Sequence, residues 1–497
     1  MQSLESCVKG ILETCLLSVK LSQKLCAGLY DSYSMLSLLR HATKHVLIAL
    51  VSGLLLRLWF IHYYPVVDGD SLVYGEIARN WFWHGIYGFT RANGIHPTLI
   101  RLPGYPLFLA ICFFFFGIDH YGVVLLLQAV LDLCSCMLLA GFAARTLSRR
   151  AGVATLYLAA LCPFTANYVA SPLTETPTIF CIALGLYSLL RYVERPAYNI
   201  WFWALVCSIS YGALLRPDGA LLGLVLVPAM FWYARPQVSA VRSARMALLC
   251  TLLTLVPFVP WTIRNARAMH VFQPLAPRYA NDPSEYIPRG WIRWVKTWAG
   301  DYASTAEFYW NVNGSPLDMQ LLPARAVDTP AEQAETAKLI AAYNRTEVMT
   351  PALSEQFGAL AKQRIRRHPF RFYAVLPVMR LADMWLRPRT EQLWIELRWW
   401  EYQHHPAETI FSWSYGALNL FYLLLAAWGL KKRVPFAPVL AAYVVVRCLL
   451  LLTLETPEPR YTLECYPMIF ILAGAALTVQ TSGKTATSGP PVSANLS

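Results

Sequence analysis

The feature that most constrains this chain is a series of apolar runs at 46 to 64, 121 to 144, 151 to 170, 175 to 193, 200 to 216, 218 to 234, 246 to 263, 408 to 430, 434 to 454 and 466 to 481. Most come close to the ~20 residues that a helix needs to cross a bilayer core, where the backbone must satisfy its own hydrogen bonds. The expectation is an all-α polytopic membrane protein with about ten spans. Composition agrees, since 56% of the residues are hydrophobic and only 14% charged, outside the usual range of a soluble globular domain.

The orientation follows from the connections. Those after the second, fourth, sixth and eighth runs carry Arg145, Arg149 and Arg150, then Arg191 and Arg195, then Arg235, Arg242 and Arg245, then Lys431, Lys432 and Arg433. The positive-inside rule puts all of these on the cytoplasmic side. The stretch 107 to 118 is too short to cross, and it is assigned to an interfacial or re-entrant helix. The expected division is a cytoplasmic extension at 1–45, without a removable signal peptide, and a membrane module at 46–263 whose first outer loop is 65–120. An outer-face segment at 264–407, spans at 408–481 and a disordered cytoplasmic tail at 482–497 complete it. The net charge of +13 is scattered over short loops and forms no basic stripe, which argues against a nucleic-acid partner. The 12 cysteines lie mostly inside apolar runs, neither a disulfide framework nor a zinc pattern.

Ionisable residues collect at the outer ends of these runs. The first outer loop opens with Asp68-Gly69-Asp70 and continues through Tyr74 in an amphipathic pattern. These acids could cap a helix lying at the interface or do chemistry. Arg101 precedes Leu102-Pro103-Gly104-Tyr105-Pro106, a helix start suited to an anion, although an arginine snorkelling to headgroups reads the same way. Glu175 in Thr174-Glu175, Arg216 in Arg216-Pro217-Asp218, Arg264 in Trp261-Thr262-Ile263-Arg264-Asn265, and Arg460 in Glu458-Pro459-Arg460-Tyr461 fall at further outer ends. Arginines clamp phosphate bidentately and a carboxylate takes a proton from an acceptor, so the convergence points to transfer chemistry beside lipid headgroups.

Asp70 four residues before Tyr74, Arg101 to Pro106, Thr174-Glu175, Trp261 to Asn265 and Arg460-Tyr461 together resemble the polyprenyl-phosphate-dependent glycosyltransferases of the C-type (GT-C) fold. The branch is the one that holds protein O-mannosyltransferases and the lipid A aminoarabinose transferase, families 39 and 83. The resemblance implies an inverting sugar transfer from a polyprenyl-phosphate donor to a lipid, glycan or protein acceptor, at the outer face of the plasma (inner) membrane. It places Asp70 as the catalytic carboxylate with Asp68 beside it, and Arg101, Tyr74, Glu175, Arg216, Arg264 and Arg460 around the substrates. No cofactor is required on this reading, and a divalent cation held by Asp68 and Asp70 is the alternative.

Two rivals come from other classes. A transporter or flippase of a lipid-linked sugar would use ionisable residues inside spans, and Arg57, Asp132 and Arg447 are such residues, although Arg57 and Asp132 could simply pair. A phosphoethanolamine-type transferase needs a metal-bound soluble domain rich in His, and His404 and His405 are adjacent and cannot build one. The topology is testable with single cysteines in a Cys-reduced background. Ser148→Cys and Ala240→Cys should resist an impermeant thiol reagent added outside, and Gln320→Cys should react; labelling at position 148 overturns the map.

Overall fold

The computed structural model describes residues 43–478. All but the last three residues of the expected 1–45 extension, and the whole of the expected 482–497 tail, lie outside them. Within the described residues, each of the ten apolar runs falls largely on helix. They are α1 (Thr43–Tyr63), α2 (Asp70–His84), α3 (Gly104–Phe116), α4 (Tyr121–Thr146), α5 (Arg149–Ala160), α6 (Pro163–Tyr168), α7 (Glu175–Glu194) and α8 (Ile200–Leu215), with α2 and α3 in the first loop. There follow α9 (Ala220–Ala234), α10 (Ala240–Leu255) and α11 (Phe258–Met269), then α12 (Arg289–Lys296), α13 (Tyr302–Ser304), α14 (Pro330–Asn344), α15 (Pro351–Arg367) and α16 (Leu376–Leu386). The chain ends in α17 (Pro406–Leu430), α18 (Ala437–Leu451) and α19 (Tyr466–Ala476).

Among the described residues, six helical stretches are long and apolar enough to cross a membrane: Thr43–Tyr63, Tyr121–Thr146, Glu175–Glu194, Pro217–Ala234, Ala240–Met269 and Pro406–Leu430. Gly104–Phe116, Ile200–Leu215 and Ala437–Leu451 are apolar but shorter. The run 151 to 170, expected as one span, is broken between α5 and α6. Pro163 opens α6 at its first turn, where its missing N–H costs nothing but where α5 cannot continue through it.

One apolar core fills the helical body, with α7 packed between α4 and α8, and α19 against α5 and α17. Every residue of α19 is buried, so this short helix is the axis around which the others close. Two neighbours come close because one helix of each pair carries no side chain at the crossing. A Cβ at Gly429 of α17 would collide with the Leu472 carbonyl, and one at Gly474 with Thr155 of α5. α1 is fastened by Arg57, whose Nε donates to Asp132 Oδ2 at 2.8 Å while Nη1 donates to the carbonyls of Gly53 and Ala160, both at 2.7 Å. All the strong donors of this buried guanidinium are spent inside the protein.

In the first loop, the β-hairpin of β1 (Gly88–Arg91) and β2 (Gly94–Pro97) joins α2 to the approach to α3, and Phe89 faces His96 across it. The segment between α11 and α17 has a core of its own. Trp291 and Trp294 of α12 pack on Phe357 of α15, Trp298 packs on Trp294 and Phe308, and buried Arg364 donates to Thr297 Oγ1 at 2.9 Å and pairs with Glu332. Arg380 and Asp383, which interrupt the apolar pattern of α16, tie that helix to this segment. Arg380 donates to the Ala299 carbonyl at 2.8 Å, and Asp383 accepts from the Tyr302 N–H at 2.9 Å.

Removing one member of a buried ion pair strands the other. Asp132→Ala should therefore cost about 3–5 kcal/mol, and the double change Arg57→Met with Asp132→Leu should recover most of it. Thermal unfolding of the detergent-solubilised protein measures both; equal losses for the single and double variants contradict the pairing.

Candidate active site

Five helix ends and junctions meet on one side of the body and enclose a cavity of about 960 Å³. The start of α2 contributes Asp70 and Tyr74, and the turn before α3 contributes Arg101. The α7 start contributes Glu175, the α8–α9 junction Arg216 and Asp218, and the 3₁₀ turn Pro459–Cys465 before α19 contributes Arg460 and Tyr461. A further wall comes from the turn at 276–280 and from Tyr309 and Trp310. Arg278 and Lys296 hold that wall in place through Glu455, at 2.6 and 3.2 Å.

Asp70 sits at the first turn of α2 because Gly69 before it has φ of 45°, a conformation that glycine adopts without strain and that swings the chain into the helix. No side chain caps α2, so the capping role open to Asp68 and Asp70 is taken by neither. Instead Asp70 Oδ1 accepts from Arg101 Nη2 at 2.5 Å and Asp70 Oδ2 lies 3.5 Å from Arg460 Nη2. Burial alone would raise the Asp70 carboxyl. The two guanidiniums outweigh it and hold the group below the ordinary carboxylate value. Asp70 is therefore ionised throughout the neutral range. Below Arg101 lies the ring of Tyr74, 5.6 Å from the guanidinium carbon. Burial pushes its phenol up to about 12, so it stays neutral.

Arg460 is the hub. Besides Asp70 it reaches Glu458 Oε2 at 2.5 Å and Glu175 Oε1 at 3.8 Å, and its guanidinium lies over the Tyr461 ring. Tyr461 in turn donates to Glu458. Deeper in, Arg216 pairs with Glu175 at 3.0 Å, Asp218 at 3.3 Å and Glu464 at 3.5 Å, while Arg447 of α18 pairs with Asp218 and reaches Glu464 at 2.9 Å. The network is not fully satisfied. Arg101 Nε and Glu175 Oε2 make no hydrogen bond within the described residues, and both residues line the cavity. Arg447 Nη2 and Glu464 Oε1 likewise make no hydrogen bond within the described residues, so the network keeps unused donor and acceptor capacity.

Of the residues expected around the substrates, Asp70, Tyr74, Arg101, Glu175, Arg216 and Arg460 all line this cavity, and Arg264 does not. The Arg264 guanidinium donates to the carbonyls of Thr98 at 2.6 Å and Tyr87 at 2.5 Å, which makes it a brace for the first loop. Asp68 is exposed, and its carbonyl accepts from the Ser71 N–H at 2.9 Å. The paired acids do not converge on one point. One oxygen of Asp70 is bonded to a guanidinium, the other lies beside a second, and Asp68 is absent from the cavity lining. No group of three or more potential metal ligands occurs among the described residues. Glu464 and Glu458, which complete the network, were not singled out as site residues from sequence. The mark they leave is a carboxylate on either side of Arg460 in a stretch that is otherwise mostly apolar.

The deep and outer halves should separate in stability. Arg447→Met leaves the two interior carboxylates Asp218 and Glu464 to Arg216 alone and should cost about 3 kcal/mol. Asp70→Asn, in a partly exposed pair, should cost about 1 kcal/mol or less. Unfolding midpoints of the purified variants decide it, and a loss at Asp70→Asn as large as at Arg447→Met makes the outer pair a structural clasp.

Residues 96–263 match the model of a family described as dolichyl-phosphate-mannose-protein mannosyltransferase, a stretch that includes Arg101, Glu175 and Arg216. This match agrees with the resemblance to polyprenyl-phosphate-dependent glycosyltransferases read from the sequence. Among solved structures, the chain is similar to the archaeal oligosaccharyltransferase AglB from Archaeoglobus fulgidus, in complex with an inhibitory peptide and a dolichol-phosphate. The identity is 11% and the TM-score 0.47, over 87% of this chain and 50% of that one. It is also similar to ArnT from Cupriavidus metallidurans in the apo state, at 16% identity and TM-score 0.39, over 88% of this chain and 77% of that one. ArnT from the same organism bound to undecaprenyl phosphate gives 14% and 0.39 over the same shares, 88% and 77%. The chain spans about half the length of AglB. No curated protein matches it.

Proposed function

We propose that this chain is a membrane glycosyltransferase that moves a sugar from a polyprenyl-phosphate carrier to a lipid, glycan or protein acceptor at the outer face of the plasma (inner) membrane. The observation that carries the reading is the convergence of Asp70, Arg101 and Arg460, from stretches up to 390 positions apart in sequence, on one cavity at the ends of apolar helices. The family match over 96–263 supports the same chemistry.

The carrier phosphate is an anion, and Arg101 and Arg460 are the forks that would hold it. Both are engaged by Asp70 in the free protein. A phosphate entering between them competes with that carboxylate for the guanidiniums. Asp70 then loses the partners that depress its proton affinity and becomes a stronger base at the moment the donor is bound. The acceptor hydroxyl or amine gives its proton to Asp70 and its lone pair to the anomeric carbon. The bond from that carbon to the phosphate oxygen breaks, the configuration inverts, and the leaving polyprenyl phosphate carries its new charge onto Arg101 and Arg460. No step needs a cation at Asp68 and Asp70.

The transporter reading loses its leading residues. Arg57 and Asp132 are consumed by each other, and Arg447 is consumed by Asp218 and Glu464.

The near-isosteric change Asp70→Asn should lower turnover by about 10²- to 10⁴-fold with the fold retained. Asp68→Asn should be mild, and a chelator should leave wild-type transfer unchanged. The assay uses purified protein with a defined polyprenyl-phosphate sugar and follows release of polyprenyl phosphate. Full activity of Asp70→Asn sinks the base assignment, and comparable defects at both positions together with chelator sensitivity restore the metal alternative.

A further inference from the structure

A second cavity, of about 530 Å³, lies at the other end of α7. This helix starts at Glu175 in the site just described and ends at Glu194, and its 20 residues span about 30 Å at 1.5 Å per residue, the thickness of a bilayer core. The two cavities therefore sit at opposite membrane faces, and by the positive-inside reading the second one is cytoplasmic.

Its lining is built around one carboxylate and three guanidiniums. Glu194 Oε1 accepts from Arg145 Nε at 2.7 Å, and Glu194 Oε2 lies 2.9 Å from Arg191 Nε. Each oxygen thus fixes the direction of one arginine, and the Arg191 guanidinium is steadied further by the Trp201 ring, 5.0 Å away. Arg195 also lines the cavity, is exposed, and has no carboxylate partner among the described residues. The three arginines outnumber the acid, so the cavity is electropositive and its donors are pre-aimed. Beside its mouth the surface turns apolar, with Ile200 69% exposed, Tyr198 51% and Trp203 47%.

A free inorganic anion would use only the guanidiniums and leave these side chains in water. A phospholipid uses both, because its phosphodiester sits among the arginines while its acyl chains lie along Ile200 and Trp203 in the membrane interface. We infer that this cavity is a binding site for the headgroup of an anionic phospholipid of the leaflet opposite the transfer site. It is separate from the donor site and would hold α7 at a fixed depth, with its other end, Glu175, in the transfer cavity.

The test uses the full-length protein, delipidated in detergent and titrated with phosphatidylglycerol, phosphatidylcholine or glycerol 3-phosphate, with retained ligand read by native mass spectrometry. Wild type should retain phosphatidylglycerol over phosphatidylcholine. Arg195→Gln should weaken that retention about fivefold, the worth of one arginine at an anionic surface. Arg195→Lys should keep most of it. Arg242→Gln removes the same charge from the same expected face outside the cavity and serves as control. Equal weakening by Arg195→Gln and Arg242→Gln would mean diffuse attraction and overturn the site. Equal retention of the two lipids overturns it as well, and glycerol 3-phosphate binding as tightly as phosphatidylglycerol overturns the lipid assignment.

Discussion

The structure depends on how charges are neutralised at the ends of apolar helices. A guanidinium or carboxylate left alone beside a hydrocarbon layer would be too costly to keep, yet this chain places Asp70, Glu175, Asp218, Glu458 and Glu464 together with Arg101, Arg216, Arg447 and Arg460 in one region. They are tolerated because they answer one another. Arg460 is the member that crosses the assembly, linking the first outer loop through Asp70, the start of α7 through Glu175, and its own turn through Glu458. The same contacts that stabilise the junctions also bring the Asp70 carboxylate within reach of the Arg101 and Arg460 guanidiniums, the groups to which the proposed transfer assigns base and phosphate binding. Structure and chemistry share one set of atoms here, with the inner pairs carrying stability and the outer ones left partly open.

What positions Arg460 is the burial of α19. That helix is enclosed on all sides, and the close approach of α17 at Gly429 and of α5 at Gly474 fixes its place. The preceding 3₁₀ turn therefore has little freedom. It is held from below by Arg389, which donates to the Pro459 carbonyl at 2.7 Å and to Thr462 Oγ1 at 2.5 Å. On the opposite side, Arg264 braces the carbonyls of Tyr87 and Thr98, and thereby the loop that ends in Arg101. Neither arginine lines the cavity, but both hold segments that carry residues lining it.

The helical body was legible in the amino-acid pattern because membrane spans are announced by length and apolarity, and within the described residues each expected run lies largely on helix. The break at Pro163 was harder to read, since Leu161 and Cys162 keep the run apolar across it. At the site, Asp70, Arg101, Glu175, Arg216 and Arg460 were singled out by their place at helix ends, and the fold does bring them into one cavity. Arg264 occupies an equivalent place in the pattern and goes elsewhere. Its partners are backbone carbonyls, which leave no mark in a sequence. The difference between Asp68 and Asp70 was equally hidden, because it arises from the φ of Gly69, which turns one carboxylate toward solvent and the next toward Arg101.

The central claim is that Arg101 and Arg460 hold the carrier phosphate in place of Asp70. Equilibrium binding of polyprenyl phosphate to the purified protein tests it most directly, in wild type and in Arg101→Ala, Arg101→Lys and Asp70→Asn. The account predicts weaker binding for Arg101→Ala by about 10- to 100-fold, the worth of a charge-assisted pair at ~1.5–3 kcal/mol, with Arg101→Lys in between. It predicts unchanged or tighter binding for Asp70→Asn, because the competing carboxylate is gone. Wild-type affinity in Arg101→Ala, or a loss of binding in Asp70→Asn, would contradict it.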